Sequence, residues 1–152
     1  TNGLTSYELI TEIEKSFTLV KKGSSPYSPT LTDEISMYLR GAWYSLIALP
    51  TSIKQDCVSK LDPAILSDNI LAPILGITDE KTDKNIIFEA GTISLTEIAE
   101  KVDTDDFEVA FILKPIPINA LKEVADNNLS MPPKSTYIEP KLRSGLIIYP
   151  LD

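Results

Sequence analysis

ISMYLRGAWYSLIAL, residues 35–49, decides the fold. Ile35, Met37 and Leu39 alternate with Ser36 and Tyr38, the two-residue period of a strand with one face turned to a core. Arg40-Gly41 interrupts the run, and Trp43 to Leu49 carries it back. Two such runs around a short break that contains glycine predict a β-hairpin. Pro50 ends the second strand because it has no N–H for the ladder. Tyr38, Trp43 and Tyr44 could stack a base or a sugar, but on alternating strands such rings more often pack core and edge.

Working outward toward the N-terminus, Tyr7, Leu9, Ile10, Ile13 and Phe17 recur at helical spacing behind Thr5-Ser6. Either hydroxyl can cap a first turn, so residues 6–16 are expected to form a helix. Phe17 to Val20 reads as a strand, and residues 21–32, with Gly23, Pro26 and Pro29, as a loop. That loop is the expected internal boundary. It sets residues 1–33, a helix, strand and loop that could form an arm, beside an α+β domain over 34–152. Toward the C-terminus, Asp62 is an expected cap and Pro63 sits at the first helical position. Ile65, Leu66, Ile70, Leu71, Ile74 and Leu75 make an apolar stripe that Gly76 ends, with Pro73 in the last turn. Residues 86–88 read as a strand, and residues 94–102 as a helix with Ser94 and Glu97 in capping positions. Phe107 to Leu113 is nearly all apolar, the pattern of a central strand covered on both faces. Residues 117–126 read as a helix, and 137–149 as two strands around Ser144-Gly145. This order predicts an α+β fold, a mixed, largely antiparallel sheet with helices packed on it, and a right-handed crossover over residues 86–113.

The chain has 152 residues, enough for one domain with a real core. It has no histidine, so it can supply no Ser-His-Asp triad, no histidine base and no histidine-ligated metal. Its one cysteine, Cys57, allows no internal disulfide and no cysteine-rich zinc site. With 14 basic and 22 acidic residues the net charge is −8, which repels nucleic-acid phosphate and anionic lipid. The longest uncharged run, Gly41 to Ile53, is shorter than the roughly 20 residues a membrane helix needs. No signal peptide is visible, and a single cysteine fits a reducing compartment, so a cytoplasmic location is expected. The chain begins at Thr1 rather than Met, which reads as a piece of something longer.

Few residues suggest chemistry. Glu97, Glu100, Asp103, Asp105, Asp106 and Glu108 crowd one stretch against Lys101 alone. A calcium loop starting at Asp103 needs glycine sixth and glutamate twelfth, and finds Glu108 and Lys114. The stretch therefore reads as a solvated helix end, or as an acidic surface for a partner. The glycines are too sparse for a phosphate loop. The exceptional segment is MPPKSTYIEPKLRSGL, residues 131–146. Its prolines stiffen the chain around Lys134-Ser135-Thr136, and Lys141, Arg143 and Ser144 follow closely. Lysines supply point charge for a phosphate or carboxylate, while hydroxyls supply orientation. An ordinary turn with surface lysines is the competing reading.

That segment resembles the C-terminal signature of an uncharacterised prokaryotic group, domain-of-unknown-function family ten-fifteen. MYLRGAWYSL (residues 37–46), LDPAILSDNILAPILGI (61–77), Thr82-Asp83 and VAFILKP (109–115) extend the resemblance over roughly residues 35–152. Ala42 and Asn85 stand where the family carries lysine and arginine. Asn127-Asn128 replace Ala-Gly, and Ile138 replaces an aromatic residue. The resemblance implies a longer protein whose N-terminal part, with a D-G-H-H-R segment, is similar to ParB-like free-serine kinases. It thereby implies ATP as a cofactor of the whole protein and phosphorylation of a small hydroxylated metabolite such as serine. This chain, without histidine, would be a C-terminal portion and no complete catalyst. Lys134, Ser135, Thr136, Lys141 and Ser144 would form an anion-binding segment, and the missing N-terminal part would be the partner. The alternative is a non-catalytic structural or interaction module.

Overall fold

The computed structural model describes residues 1–104 and 107–136. The hairpin is present. Strands β2 (Glu34–Leu39) and β3 (Ala42–Ala48) pair antiparallel from Glu34 opposite Ile47 to Leu39 opposite Ala42. Arg40 and Gly41 both take positive φ, 44° and 80°, the mirror-image turn whose twist matches that of the strands. Strand β1 (Phe17–Gly23) lies on the other side of β3, and β4 (Ala110–Ile112) on the other side of β2. The order is β1-β3-β2-β4 with every pair antiparallel, and helices pack on the sheet in an α+β fold.

Both faces of this sheet are covered, so all six residues of β2 are buried. On one face Ile35, Met37, Leu39, Leu46 and Phe17 meet helix α1 (Ser6–Ile13) through Leu9 and Ile13. Ile65, Leu66, Ile70 and Leu71 complete that core from α2 (Asp62–Leu66) and the wider turn that continues it. On the other face Tyr38 and Trp43 pack with Val102 of helix α3 (Leu95–Asp103). The Tyr38 and Trp43 rings lie 4.9 Å apart, and Trp43 is wholly buried, so these aromatics are core. The Tyr38 hydroxyl donates to Asp103 at 2.7 Å and ties β2 to α3. Burial, with the Asp103 carboxylate beside it, pushes that phenol up to about 12.

Local capping explains the helix starts. Thr5 accepts from the Glu8 N–H at 3.3 Å while Glu8 accepts from the Thr5 N–H at 2.8 Å, a reciprocal box. Ser94 and Glu97 repeat it at α3, where the sequence places it. Helix α4 (Ile118–Asp126) starts after Pro117, as expected. Among the described residues no helix is long and apolar enough to cross a membrane.

Several expectations need correction. Residues 86–88 form no strand, and Ile87 and Phe88 are largely exposed, so no strand–helix–strand crossover exists. Three apolar residues meet the propensity of a strand, but no described sheet edge receives them. Strand β4 is short and half-buried at the end of the described sheet, not central. Its continuous apolarity arises because Val109, Phe111 and Leu113 serve one core while Phe107, Ala110 and Ile112 serve the other. Asp62 is the first residue of α2 and not its cap, since the capping position is Leu61 with no side-chain bond. The helix also changes pitch at Ser67–Leu71, where Ala72 N–H reaches Ser67 O. Pro73 has no N–H for the Asn69 carbonyl, and the ladder widens to accommodate it. Asn69 secures the bend by donating to Ile65 O and Ser52 O, at 2.9 and 3.1 Å. The N-terminal strand also runs to Gly23, three residues past its expected end. The strands expected over 137–149 lie outside the described residues.

Among the described residues Glu34 is the one buried acid, only 1% exposed. Its carboxylate accepts from Tyr27 OH at 2.7 Å, Leu31 N–H at 2.7 Å, Thr30 N–H at 2.6 Å, Thr30 Oγ1 at 3.2 Å and the Ser45 hydroxyl. Burial alone would raise its pKa, but bonds from Ser45, Leu31, Tyr27 and Thr30 hold it at about 2 against an ordinary 4.5. The folded pKa is the lower one, so the stabilisation is complete above 4.5 and is lost as pH falls toward 2. Glu34→Gln should cost about 2 kcal/mol at pH 7, through donors left unpaired. It should also flatten the loss of Tm between pH 4.5 and 2. Thermal melts across that range check both statements, and an unchanged acid slope would count against the assignment.

Candidate functional site

The C-terminal turn is built by its prolines. Met131, Pro132 and Pro133 are half-buried, and Lys134 takes φ 55°, a left-handed conformation unusual for lysine. Ser135 closes the turn, its hydroxyl donating to Pro132 O at 2.7 Å and its N–H reaching the same oxygen at 3.4 Å. Lys134 and Thr136 line a shallow hollow of about 260 Å³ with Phe88, Glu89 and Ala90. Lys134 makes no ion pair among the described residues, and its side chain is exposed. Glu89 in the same wall is engaged by Lys101 of α3. The structure thus brings Lys134 and Thr136 to one hollow and points the Ser135 proton back into its own turn. Lys141 and Ser144 lie outside the described residues.

A larger concavity of about 680 Å³ opens between the start of β2, the start of α2 and the segment leading into α4. Asp33, Asp62, Lys60 and Lys114 enter its lining, with apolar surface from residues that include Ile53 and Ile116. Volumes of this size suit small molecules. Lys60 is held by Glu123, with Nζ 2.7 and 2.9 Å from the two carboxylate oxygens, and this bond raises its pKa. Lys114 donates to Thr30 O at 3.1 Å. Neither the Asp33 nor the Asp62 carboxylate accepts a hydrogen bond from any described residue. Burial, and then the negative charge of Asp33, push the Asp62 carboxyl up to about 6, with Lys114 opposing. Asp33 itself sits at φ 57°, and its backbone carbonyl anchors β3 by accepting from the Ala48 N–H at 3.0 Å.

Sequence reasoning missed this pair. Asp62 before Pro63 reads as a cap, and nothing in the sequence separates a capping aspartate from one a single position inside the helix. Asp33 carries no signal beyond a loop aspartate. The acidic stretch 97–108 has mainly structural work in its described part, with Glu97 capping and Asp103 bonding Tyr38. Among the described residues no group of three or more acidic or cysteine side chains could hold a metal ion. Cys57 is a free, half-buried thiol.

No family model, curated protein or solved structure matches this chain.

Asp62 is a raised acid, so the sign of its effect is opposite to that of Glu34. Folding favours its protonated form, and stability falls as pH rises from 3.8 through about 6. Asp62→Asn should therefore raise Tm at pH 7 and leave it unchanged below pH 4. Carbon-detected NMR should give Asp62 a titration midpoint near 6 that drops in Asp33→Asn. A midpoint near 4 in the unaltered chain would contradict the proposed environment.

Proposed function

We propose that this chain is the anion-binding portion of a larger protein that phosphorylates a small hydroxylated metabolite with ATP, and that it holds no complete active site itself. The observation that carries this reading is that Lys134 and Thr136 line one hollow while the Lys134 charge has no carboxylate partner among the described residues. The resemblance of residues 131–146 to family ten-fifteen supplies the kinase and the ATP. Phosphoryl transfer depends mainly on positioning and charge neutralisation, so a segment can matter without carrying the base. In this reading Lys134 and Lys141 neutralise phosphate, and Thr136, Ser144 and the Ser135 backbone orient it.

A second reading has its own observation. The Ser135 hydroxyl closes its own turn, and Glu89 adds negative charge to the hollow. Both suit a turn whose task is to fix the chain's course, in a structural or interaction module.

Titration with inorganic phosphate and with ATP separates the two. Lys134→Ala should weaken phosphate binding about tenfold, the value of one charge-assisted contact of roughly 1.4 kcal/mol, with little change in Tm. Equal binding by the variant and the unaltered chain would remove the anion reading and leave the structural one.

A further inference from the structure

We propose that the outer edge of strand β1 binds an extended acidic segment of another protein, which adds to the sheet as an antiparallel strand. The surface is separate from the Lys134 hollow and does not rest on the anion reading.

Backbone demand comes first. Among the described residues β1 pairs with β3 on one side and with nothing on the other. The Leu49 N–H donates to Ser16 O, and the register sets Phe17 opposite Ala48. Antiparallel ladders alternate bonded and unbonded pairs, so Ser16, Thr18 and Val20 turn their backbone groups toward β3. Phe17, Leu19 and Lys21 turn theirs outward, and no described residue takes up their N–H or C=O groups. A bulge between Lys21 and Gly23 ends this regular row. Such a row is a template for another strand. The opposite outer strand, β4, offers only three half-buried residues.

Side chains select the occupant. Thr18, Val20 and Lys22 share one face and are exposed, Val20 to 44%. Phe17, Leu19 and Lys21 share the other face, where Leu19 borders the aliphatic core. Apolar residues set beside Val20 and Leu19 would extend contact on both faces. Lys21 and Lys22 are exposed and have no ion pair among the described residues, in a chain of net charge −8. Lys22 lies 4.6 Å from the Tyr27 ring centre, which keeps it on its face. The two lysines stand on opposite faces, and consecutive carboxylates in a partner strand alternate in the same way, one across from each. Edge lysines resist pairing with an apolar or basic strand, so they select an acidic one. A second copy fits less well, because it would bring two lysine pairs to one short ladder.

The test uses the peptide acetyl-Glu-Glu-Val-Val-Thr-Thr-amide. In an antiparallel register its glutamates face Lys22 and Lys21, and its valines face Val20 and Leu19. It is titrated into the 152-residue chain and followed by amide NMR and hydrogen exchange. Binding should saturate, shift residues 17–22, and slow exchange of the Phe17, Leu19 and Lys21 amides about tenfold or more. Replacing both glutamates of the peptide by lysine should weaken binding about tenfold, and so should Lys21→Glu with Lys22→Glu in the chain. N-methylation of the second and fourth peptide residues, whose N–H groups face β1, should abolish binding. N-methylation of the third and fifth, whose N–H groups face away, should leave it. The methylated pair leaves the chain untouched, so it decides the matter even where the double variant fails to fold. Equal binding by the acidic and basic peptides, equal effects of the two methylations, or no binding would overturn the proposal. So would protection of those three amides in the free chain, which would mean that the chain covers this edge itself. Protection that grows with chain concentration would assign the edge to a second copy and overturn it as well.

Discussion

A buried carboxylate with no cation beside it constrains the rest of this fold. Removing an ionised carboxylate from water costs several kcal/mol even after relaxation. Glu34 is nearly inaccessible, and among the described residues it has no ion pair. Its cost is offset only if donors surround it. Tyr27, Thr30 and Leu31 provide them from the segment between β1 and β2, and Ser45 provides one from β3. That segment therefore follows a course set by the carboxylate and not by its own propensities. Lys22 lies 4.6 Å from the Tyr27 ring centre and adds a cation–π contact to the same arrangement. Since Thr30 O also receives Lys114, and Asp33 adjoins Glu34 in the chain, one wall of the large cleft follows from the same constraint.

The sheet divides its burial between two cores of unequal size. The larger is aliphatic, between the sheet and the α1 and α2 helices. The smaller holds Tyr38, Trp43 and Val102, and its polar members are few but specific. Tyr38 meets Asp103, Ser45 meets Glu34, and Ser36 Oγ is a buried atom without a partner among the described residues. Polar groups placed this way fix which side of the hairpin faces α3. A one-residue slip would carry Glu34, Ser36 and Tyr38 into the aliphatic core and Ile35 and Met37 out of it.

Where the sequence was legible, local chemistry and tertiary packing agreed. The hairpin was readable because alternation, Gly41 and Pro50 all point to it, and α3 because Ser94 and Glu97 form a box behind an amphipathic run. Residues 107–113 misled because a run shared between two cores looks like one buried strand. The π-type turn at Ser67–Leu71 was half visible, since Pro73 announces a distortion without saying how the ladder absorbs it. Glu34 was not visible at all. In the sequence it is a polar residue before a strand, and its donors lie across a loop and a neighbouring strand. The candidate site divides the same way. The MPPKST turn stands out by its prolines, and the left-handed Lys134 agrees with a forced bend. Asp33 and Asp62 are 29 residues apart in a chain rich in acids, and only the fold places them on one cleft.

The carboxylates of this chain also differ in what they do. Glu8 and Glu97 close capping boxes, Asp56 and Asp79 hold turns, and Glu34 and Asp103 satisfy core hydroxyls. Each has donors close by, and where these bonds dominate the acid is held in its charged form. Asp62 departs from that pattern, with burial and a second carboxylate making its charge unfavourable. The Asp33 and Asp62 carboxylates accept no hydrogen bond from the described residues, and both side chains stay only half-buried. The Lys134 hollow presents the converse, an ammonium without a carboxylate partner among the described residues. The two concavities therefore differ in the sign of the charge that lacks an ion-pair partner among the described residues.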